Sequence, residues 1–320
     1  MSAFAAVDCG TNSIRLLISD VGTDGTLTEL DRENIIVRLG QGVDATGRFA
    51  DEALQRVDAA LAHYTDRMVE AGVTDVIMGA TSATRDAGNR GQFFDMTARH
   101  LGRIRPGARA EVISGVREAE LSFAGAVLDL DRGGISGRDS GVLVMDLGGG
   151  STEFVVDAGS GGVCSTRMGC VRLTERFLHS DPPTAQEIGE AGRYVADQLV
   201  QASADVDFTR VTRVVGVAGT MTTLAALHLG LESYDPDRTH MAVIPLEGLR
   251  ATARRVLADS VAARNTSSVV DPGRADVIGG GCVIVDAVAT RFLEQGIRTI
   301  TVSEKDILDG LLAEVVERNR

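Results

Sequence analysis

The sequence predicts an α/β protein made of two duplicated domains, each a mixed sheet flanked by helices. Three observations lead there. At 320 residues the chain exceeds what one hydrophobic core comfortably serves, so two domains are the expectation. Strand-like apolar runs alternate with segments of helical spacing along its length. Finally, two stretches spell nearly the same phrase: Ala6-Val7-Asp8-Cys9-Gly10-Thr11-Asn12-Ser13-Ile14-Arg15 and Val144-Met145-Asp146-Leu147-Gly148-Gly149-Gly150-Ser151-Thr152-Glu153. Each is an apolar strand ending in Asp, a D-x-G-x-x-S turn, and a second apolar strand, 14–18 in the first and 154–156 in the second. A Gly-rich turn between apolar runs signals a hairpin. Glycine lets backbone N–H groups approach a ligand closely, and consecutive N–H groups form an anion-binding nest. A carboxylate beside such a nest, here Asp8 and Asp146, points to a divalent cation between acid and phosphate. The pair reads as two phosphate-binding hairpins, one per half.

The remaining elements follow in order. Residues 26–39 alternate as a third strand and run into Arg38-Leu39-Gly40-Gln41-Gly42. Residues 51–71 place Leu54, Val57, Leu61, Tyr64 and Met68 at helical spacing and stop at Gly72. A buried-type strand over 73–79 delivers the small-residue loop Ala80-Thr81-Ser82-Ala83-Thr84-Arg85-Asp86-Ala87-Gly88-Asn89. A helix follows through Phe93, Met96 and Leu101, then a short strand over 110–113. Ser114-Gly115-Val116-Arg117-Glu118-Ala119-Glu120-Leu121 opens another helix. The second half repeats the logic. A third strand over 163–168 enters Gly169-Cys170-Val171-Arg172-Leu173-Thr174, and 184–202 is a helix weakened by Gly189 and Gly192. A strand over 211–217 leads to Ala218-Gly219-Thr220-Met221-Thr222-Thr223 at a helix start, and 246–257 is helical. Pro272-Gly273-Arg274-Ala275-Asp276 caps a helix containing Gly279-Gly280-Gly281, tolerable only where a ligand or a neighbouring strand packs close. A strand over 299–303 and a helix over 307–316 close the chain. The stretch 129–139, rich in Gly, Asp and Arg, is the most boundary-like, which sets the domains at 1–128 and 129–320 with the final helix free to pack back on the first.

Composition narrows the function classes. A hydrophobic content of 44% describes a well-cored protein. The longest apolar runs, such as 142–145 and 214–218, are far too short to span a bilayer. No basic n-region follows Met1, so no signal peptide is expected. Cys9, Cys164, Cys170 and Cys282 show no C-x-x-C spacing and fit a reducing cytoplasm. The net charge of -13 weighs against nucleic-acid and anionic-membrane partners. Lys305 is the only lysine, a bias that GC-rich codons explain; guanidinium forks suit phosphate oxygens, but only where an Arg stands in a cleft. The five histidines are scattered without metal-ligand spacing, no G-x-S-x-G elbow is present, and strand alternation turns Cys9 away from the side of Asp8 and Gly10. A homodimer is the default assembly.

Six segments carry a family resemblance: Asp8-Cys9-Gly10-Thr11-Asn12-Ser13, Ala80-Thr81-Ser82-Ala83-Thr84-Arg85, Ser114-Gly115-Val116-Arg117-Glu118-Ala119, Asp146 through Glu153, Gly169-Cys170-Val171-Arg172-Leu173, and Gly219-Thr220. In this order, across nearly the whole chain, they resemble the exopolyphosphatase/guanosine pentaphosphate phosphatase family. That family lies within the superfamily of sugar kinases, actin and heat-shock ATPases. The resemblance is to the short, two-domain members and implies an actin-like, ribonuclease H-like fold with a cleft between the halves. One segment departs: members read Gly-Leu-Arg-Glu-Gly near the end, where this chain has Asp306-Ile307-Leu308-Asp309-Gly310, so no role is carried over to a terminal Arg.

The resemblance implies hydrolysis of a terminal phosphoanhydride, releasing phosphate from polyphosphate or from guanosine pentaphosphate. Phosphoryl transfer needs positioning, charge neutralisation and an oriented nucleophile. Gly10, Thr11, Asn12 and Ser13 of one turn and Gly148, Gly149, Gly150, Ser151 and Thr152 of the other are expected to grip phosphate, with Gly219 and Thr220. Arg85 would face charge growing on the transferred group. Asp8, Asp146 and Glu153 would hold magnesium or another divalent cation. The resemblance makes Glu118 the water-activating base and Glu153 its acidic partner, meeting across the cleft; Glu120 competes on spacing alone, and the Ser-Gly-x-x-Glu-Ala pattern selects Glu118. A phosphotransferase of the same superfamily is the first alternative, since Val215 to Thr220 suits an adenine nucleotide, but it lacks an identifiable acceptor-activating Asp. A non-catalytic alarmone sensor is the second, and the presence of Glu118 and Glu153 disfavours it. So acidic a chain repels a long polyanion unless magnesium shields it, which leans toward shorter polyphosphates.

Overall fold

A computed structural model describes residues 2–22, 25–130, 141–157 and 160–320. The chain forms two compact units: Met1–Leu121 with Ile307–Arg320, and Ser122–Asp306. The division falls within the helix Gly115–Ala126, and the final helix is counted with unit 1. Of the boundary-like stretch 129–139, residues 131 onward lie outside the described residues.

Unit 1 holds a five-stranded sheet in the order β3-β2-β1-β4-β5, formed by β1 (Ser2–Cys9), β2 (Ser13–Val21), β3 (Leu27–Ile36), β4 (Val73–Ala80) and β5 (Glu111–Val112). The β1–β2 and β2–β3 pairs are antiparallel; β4 joins β1 and β5 joins β4 in parallel. Alternation along β1 splits its side chains between two cores. Ala3, Ala5, Val7 and Cys9 pack with the helices Asp51–Glu70 and Arg90–Leu101. Phe4 and Ala6 pack with the closing helix Ile307–Glu317, through Ile307, Leu308, Leu311 and Val315. Cys9 is thus a buried packing residue on the side away from Asp8, and burial pushes its thiol pKa up. Polar contacts seat the closing helix: Asp309 takes the Arg32 guanidinium at 2.7 Å, and Arg318 reaches Asp75 at 2.7 Å.

Unit 2 repeats this plan. Its six-stranded sheet runs β10-β11-β9-β6-β7-β8, from β6 (Val142–Leu147), β7 (Thr152–Val156), β8 (Val163–Thr166), β9 (Arg213–Val217), β10 (Ala242–Pro245) and β11 (Thr299–Val302). The β6–β7 and β7–β8 pairs are antiparallel, and β9 joins β6, and β11 joins β9, in parallel. Strand for strand this is the unit 1 order, with the short antiparallel edge strand β10 added. The added strand is absent from the sequence reading because Ala242-Val243-Ile244-Pro245 is too short to announce itself.

The glycine triplet has a different neighbour from the one expected. The helix Ile278–Glu294 packs at the triplet on a second helix, Cys170–Phe177, rather than on a strand. A Cβ on Gly280 would overlap the Cys170 carbonyl oxygen, and one on Gly281 would press on Thr220 and Cys170. Gly189, by contrast, is exposed within Ala185–Ala202 with nothing near its missing Cβ, and the helix is secured by a Thr184–Glu187 capping box. The same substitution should therefore act with opposite sign. Gly189→Ala is expected to raise stability by about 0.5–1 kcal/mol through helix propensity. Gly280→Ala should lower it by about 1–3 kcal/mol, because backbone overlap outweighs propensity. Denaturant midpoints of the two variants would check this.

Candidate active site

In unit 1 the strand-end carboxylate, the loop Arg and the helix Glu come together. Asp8 ends β1, and Arg15 faces it from β2, its guanidinium 2.7 Å from Asp8 Oδ2. Arg85 stands on the short helix Ser82–Asp86 that follows β4, within the stretch expected to be a loop. Arg85 Nη1 donates to Glu118 Oε2 at 2.5 Å and to the Ile113 carbonyl at 2.9 Å. Ser114 caps the helix that begins at Gly115, its hydroxyl accepting the Arg117 N–H, and so holds Glu118 in the first turn. Thr81 hydrogen-bonds the Glu118 carboxylate as well. Glu118 is only 7% exposed. Burial pushes its pKa up to about 7; Arg85 and Thr81 oppose the rise, and the Asp8 charge adds to it. Glu120 is exposed, which separates the two candidates that spacing could not.

Both turns are built alike. Gly10 N–H donates to the Ser13 carbonyl at 2.9 Å, and Gly148 N–H to the Ser151 carbonyl at 3.0 Å. The carbonyls of Thr11 and Asn12 accept from Gly40, Val37 and Arg38; those of Gly148 and Gly149 accept from Cys170, Val171 and Arg172. The N–H groups of Thr11, Asn12, Gly149 and Gly150 donate to no described residue. A turn with its carbonyls bound behind and its N–H groups unspent is an anion nest. Both Gly40 and Gly169 are pressed against their turns, where a Cβ would overlap Thr11 and the Gly149 carbonyl respectively. Thr152 differs from the expectation. It is fully buried, and its hydroxyl donates to the Met168 carbonyl at 2.6 Å, so it fastens the hairpin rather than presenting a phosphate ligand.

Unit 2 concentrates negative charge at its hairpin. Asp146 and Glu153 are direct cross-strand neighbours on β6 and β7, and both are buried. Ser122 donates to Asp146 Oδ2, and Ser165 donates to Glu153 Oε1 at 2.7 Å. Two buried carboxylates in register, each with a hydroxyl donor, form an all-oxygen set suited to a hard cation. Among the described residues no group of three or more His, Cys, Asp and Glu side chains is arranged as a metal site. A cation on this pair would complete its shell with water and substrate phosphate, the usual manner of magnesium. Asp8 is less suited, since Arg15 already occupies its Oδ2.

Several site residues were missed in the sequence. Arg172 is buried, and its Nε donates to the Gly150 carbonyl at 2.6 Å, placing a cation beneath the glycine turn. Arg274, read only as part of a cap, lays its guanidinium over Gly219, where no Cβ would fit. Its Nε is buried without a hydrogen-bond partner among the described residues. Ala218 has φ 70 at the start of the helix Gly219–His228, so the chain turns sharply to bring Gly219 and Thr220 to that N-terminus beneath Arg274.

The profile of the Ppx/GppA phosphatase family matches residues 17–318. The chain belongs to this family. Exopolyphosphatase 2 of Mycobacterium tuberculosis is 48% identical over 318 residues, spanning 97% of this chain and 98% of the relative. Among solved structures, an exopolyphosphatase-like protein superposes with a TM-score of 0.91 at 37% identity, covering 99% of this chain and 100% of that one. The Aquifex aeolicus Ppx/GppA family member gives 0.77 at 29% identity, covering 100% and 99%. No helix among the described residues is long and apolar enough to cross a membrane.

The raised pKa of Glu118 has a consequence for stability. A carboxyl whose folded pKa exceeds its unfolded value of about 4.3 binds a proton more readily when folded. Its burial as a carboxylate therefore costs stability above about pH 7, and that cost disappears as the pH falls to the unfolded value. Glu118→Gln should melt higher than wild type at pH 8, with the difference vanishing near about pH 4. Equal melting temperatures at both pH values would contradict the assigned shift.

Proposed function

We propose that this chain is an exopolyphosphatase that hydrolyses the terminal phosphoanhydride of inorganic polyphosphate with magnesium. The observation that carries the reading is the assembly around Glu118: a buried carboxyl poised near neutral pH, held by Arg85 and Thr81 beside Asp8. A base of that pKa removes a proton from water at the pH of the cell without being permanently ionised or permanently protonated. The same guanidinium that holds Glu118 is a donor to charge on a transferred phosphoryl group. Identity with a named exopolyphosphatase over nearly both full chains supports the same assignment.

Each unit contributes separate tasks. Unit 1 supplies the base Glu118, the donor Arg85 and the nest at Gly10, Thr11, Asn12 and Ser13. Unit 2 supplies the nest at Gly148, Gly149, Gly150 and Ser151, and the helix start at Gly219 and Thr220 with Arg274 above it. Asp146 and Glu153 would hold magnesium, which when bound neutralises phosphate charge. Glu118 takes the proton of the attacking water as its oxygen bonds to the terminal phosphorus; the anhydride P–O bond breaks, and the shortened polyphosphate leaves with the electron pair.

Phosphate release should be measured from polyphosphates of several lengths and from guanosine pentaphosphate, with and without magnesium. Release from polyphosphate with magnesium is expected, and no release from any substrate would remove the assignment. Glu118→Gln should lower the rate by about 10²–10⁴-fold, the contribution of a positioned general base. Since the base must be deprotonated, kcat/KM should fall as pH drops below about 7. Asp8→Asn, by removing a charge that raises the Glu118 pKa, should move that limb to lower pH.

A further inference from the structure

The segment Ser303-Glu304-Lys305-Asp306 carries the chain's only lysine and opens the stretch that departs from the family pattern. Its chemistry is unused by the reaction above. Within unit 2 this segment grips the end of the helix Gly115–Ala126 and the turn after it. Lys305 Nζ lies 2.6 Å from Asp129 Oδ2, and His240 Nε2 lies 3.2 Å from the same oxygen. His240 Nδ1 accepts the Glu304 N–H at 3.2 Å, which leaves Nε2 as the ring's N–H donor toward Asp129. Asp129 is buried, and a cation beside a buried carboxylate offsets its desolvation. Closer to the hairpin, Gly125 is pressed on the Asp306 backbone, where a Cβ would overlap the carbonyl oxygen. Ser122 donates to Asp146 Oδ2. Ser122 and Gly125, three residues apart, lie on one face of the helix, and Asp129 stands in the turn that follows its last residue, Ala126. The last turns of the helix are thus fastened to Asp146 through Ser122, and the turn after them to Lys305 through Asp129.

We infer that Lys305, acting through Asp129, is a positioning residue that holds the Ser122 hydroxyl on Asp146 and so fixes the orientation of that carboxylate toward magnesium. The inference rests on the assignment of magnesium to Asp146 and Glu153. Loss of Lys305 removes the ammonium that lies 2.6 Å from buried Asp129, which loosens the hold on the turn at the helix end. Ser122 then holds Asp146 less firmly, and the carboxylate pays an ordering cost when the cation binds. An arginine at 305 keeps the charge and can keep the contact.

The test is calorimetric titration of magnesium into the substrate-free protein. Lys305→Met and Ser122→Ala should each weaken magnesium binding about tenfold, the usual effect of removing an outer-shell partner. The double variant should be no weaker than either alone, since both remove the same support. Lys305→Arg should bind as wild type. Should Lys305→Met fail to fold, Asp129→Asn removes the buried charge that requires the lysine and should weaken binding in the same way. Wild-type affinity in Lys305→Met or in its Asp129→Asn substitute, losses that multiply in the double variant, or no rescue by arginine would overturn the inference. Unchanged affinity in Asp146→Asn would instead remove the magnesium assignment, and the inference with it.

Discussion

A turn that offers its backbone N–H groups to an anion must have its carbonyls answered from the opposite side. Left free, those carbonyls would repel the same anion or fold over the donors. Both hairpins solve this in one way. The chain leaving the third strand of each sheet comes back under the turn and donates to it, from Val37, Arg38 and Gly40 in unit 1 and from Cys170, Val171 and Arg172 in unit 2. Approach this close requires glycine at Gly40 and Gly169, since a Cβ at either would strike the turn. The order of strands in each sheet follows from the same need, because the third strand must lie beside the hairpin it supports.

The two halves share this scaffold and differ in charge. At equivalent register positions unit 1 pairs Asp8 with Arg15, and unit 2 pairs Asp146 with Glu153. The first sets a guanidinium against a carboxylate, and the second sets two buried carboxyls side by side. Two carboxyls in register suit a divalent cation, the arrangement on which the proposed magnesium site rests. Unit 1 adds a further acid, Glu118, beside the Asp8–Arg15 pair. Glu118 sits in enough apolar surrounding to favour its protonated form and near enough to Arg85 to remain ionisable. The two halves thus share one turn geometry, and the residue opposite the strand-end Asp, Arg15 in one and Glu153 in the other, is where they diverge.

The hairpins, the Asp at each strand end and the turn glycines were legible because each rests on a local rule. A turn needs particular residues within four positions, and alternation assigns faces without reference to anything distant. Glu118 was legible only through its pattern, since an acid in a first helical turn is unremarkable by itself. Thr152 was misread because its hydroxyl is satisfied by Met168, a partner sixteen residues away. Arg274 was passed over because the glycine it covers, Gly219, belongs to another element. The glycine triplet was understood as a close approach, but the neighbour was unknowable from spacing.

The sequence by itself determined the α/β class, the duplication and the two glycine-rich hairpin turns, because strand period, helix period and turn chemistry are properties of adjacent residues. Tertiary structure alone decided which carboxyl is buried with a pKa near neutrality and which two carboxyls are buried side by side. Those properties come from burial and from charges brought near by folding: Arg85 to Glu118, Arg15 to Asp8, Ser122 to Asp146. A pKa is set by surroundings in space, and sequence order does not carry them.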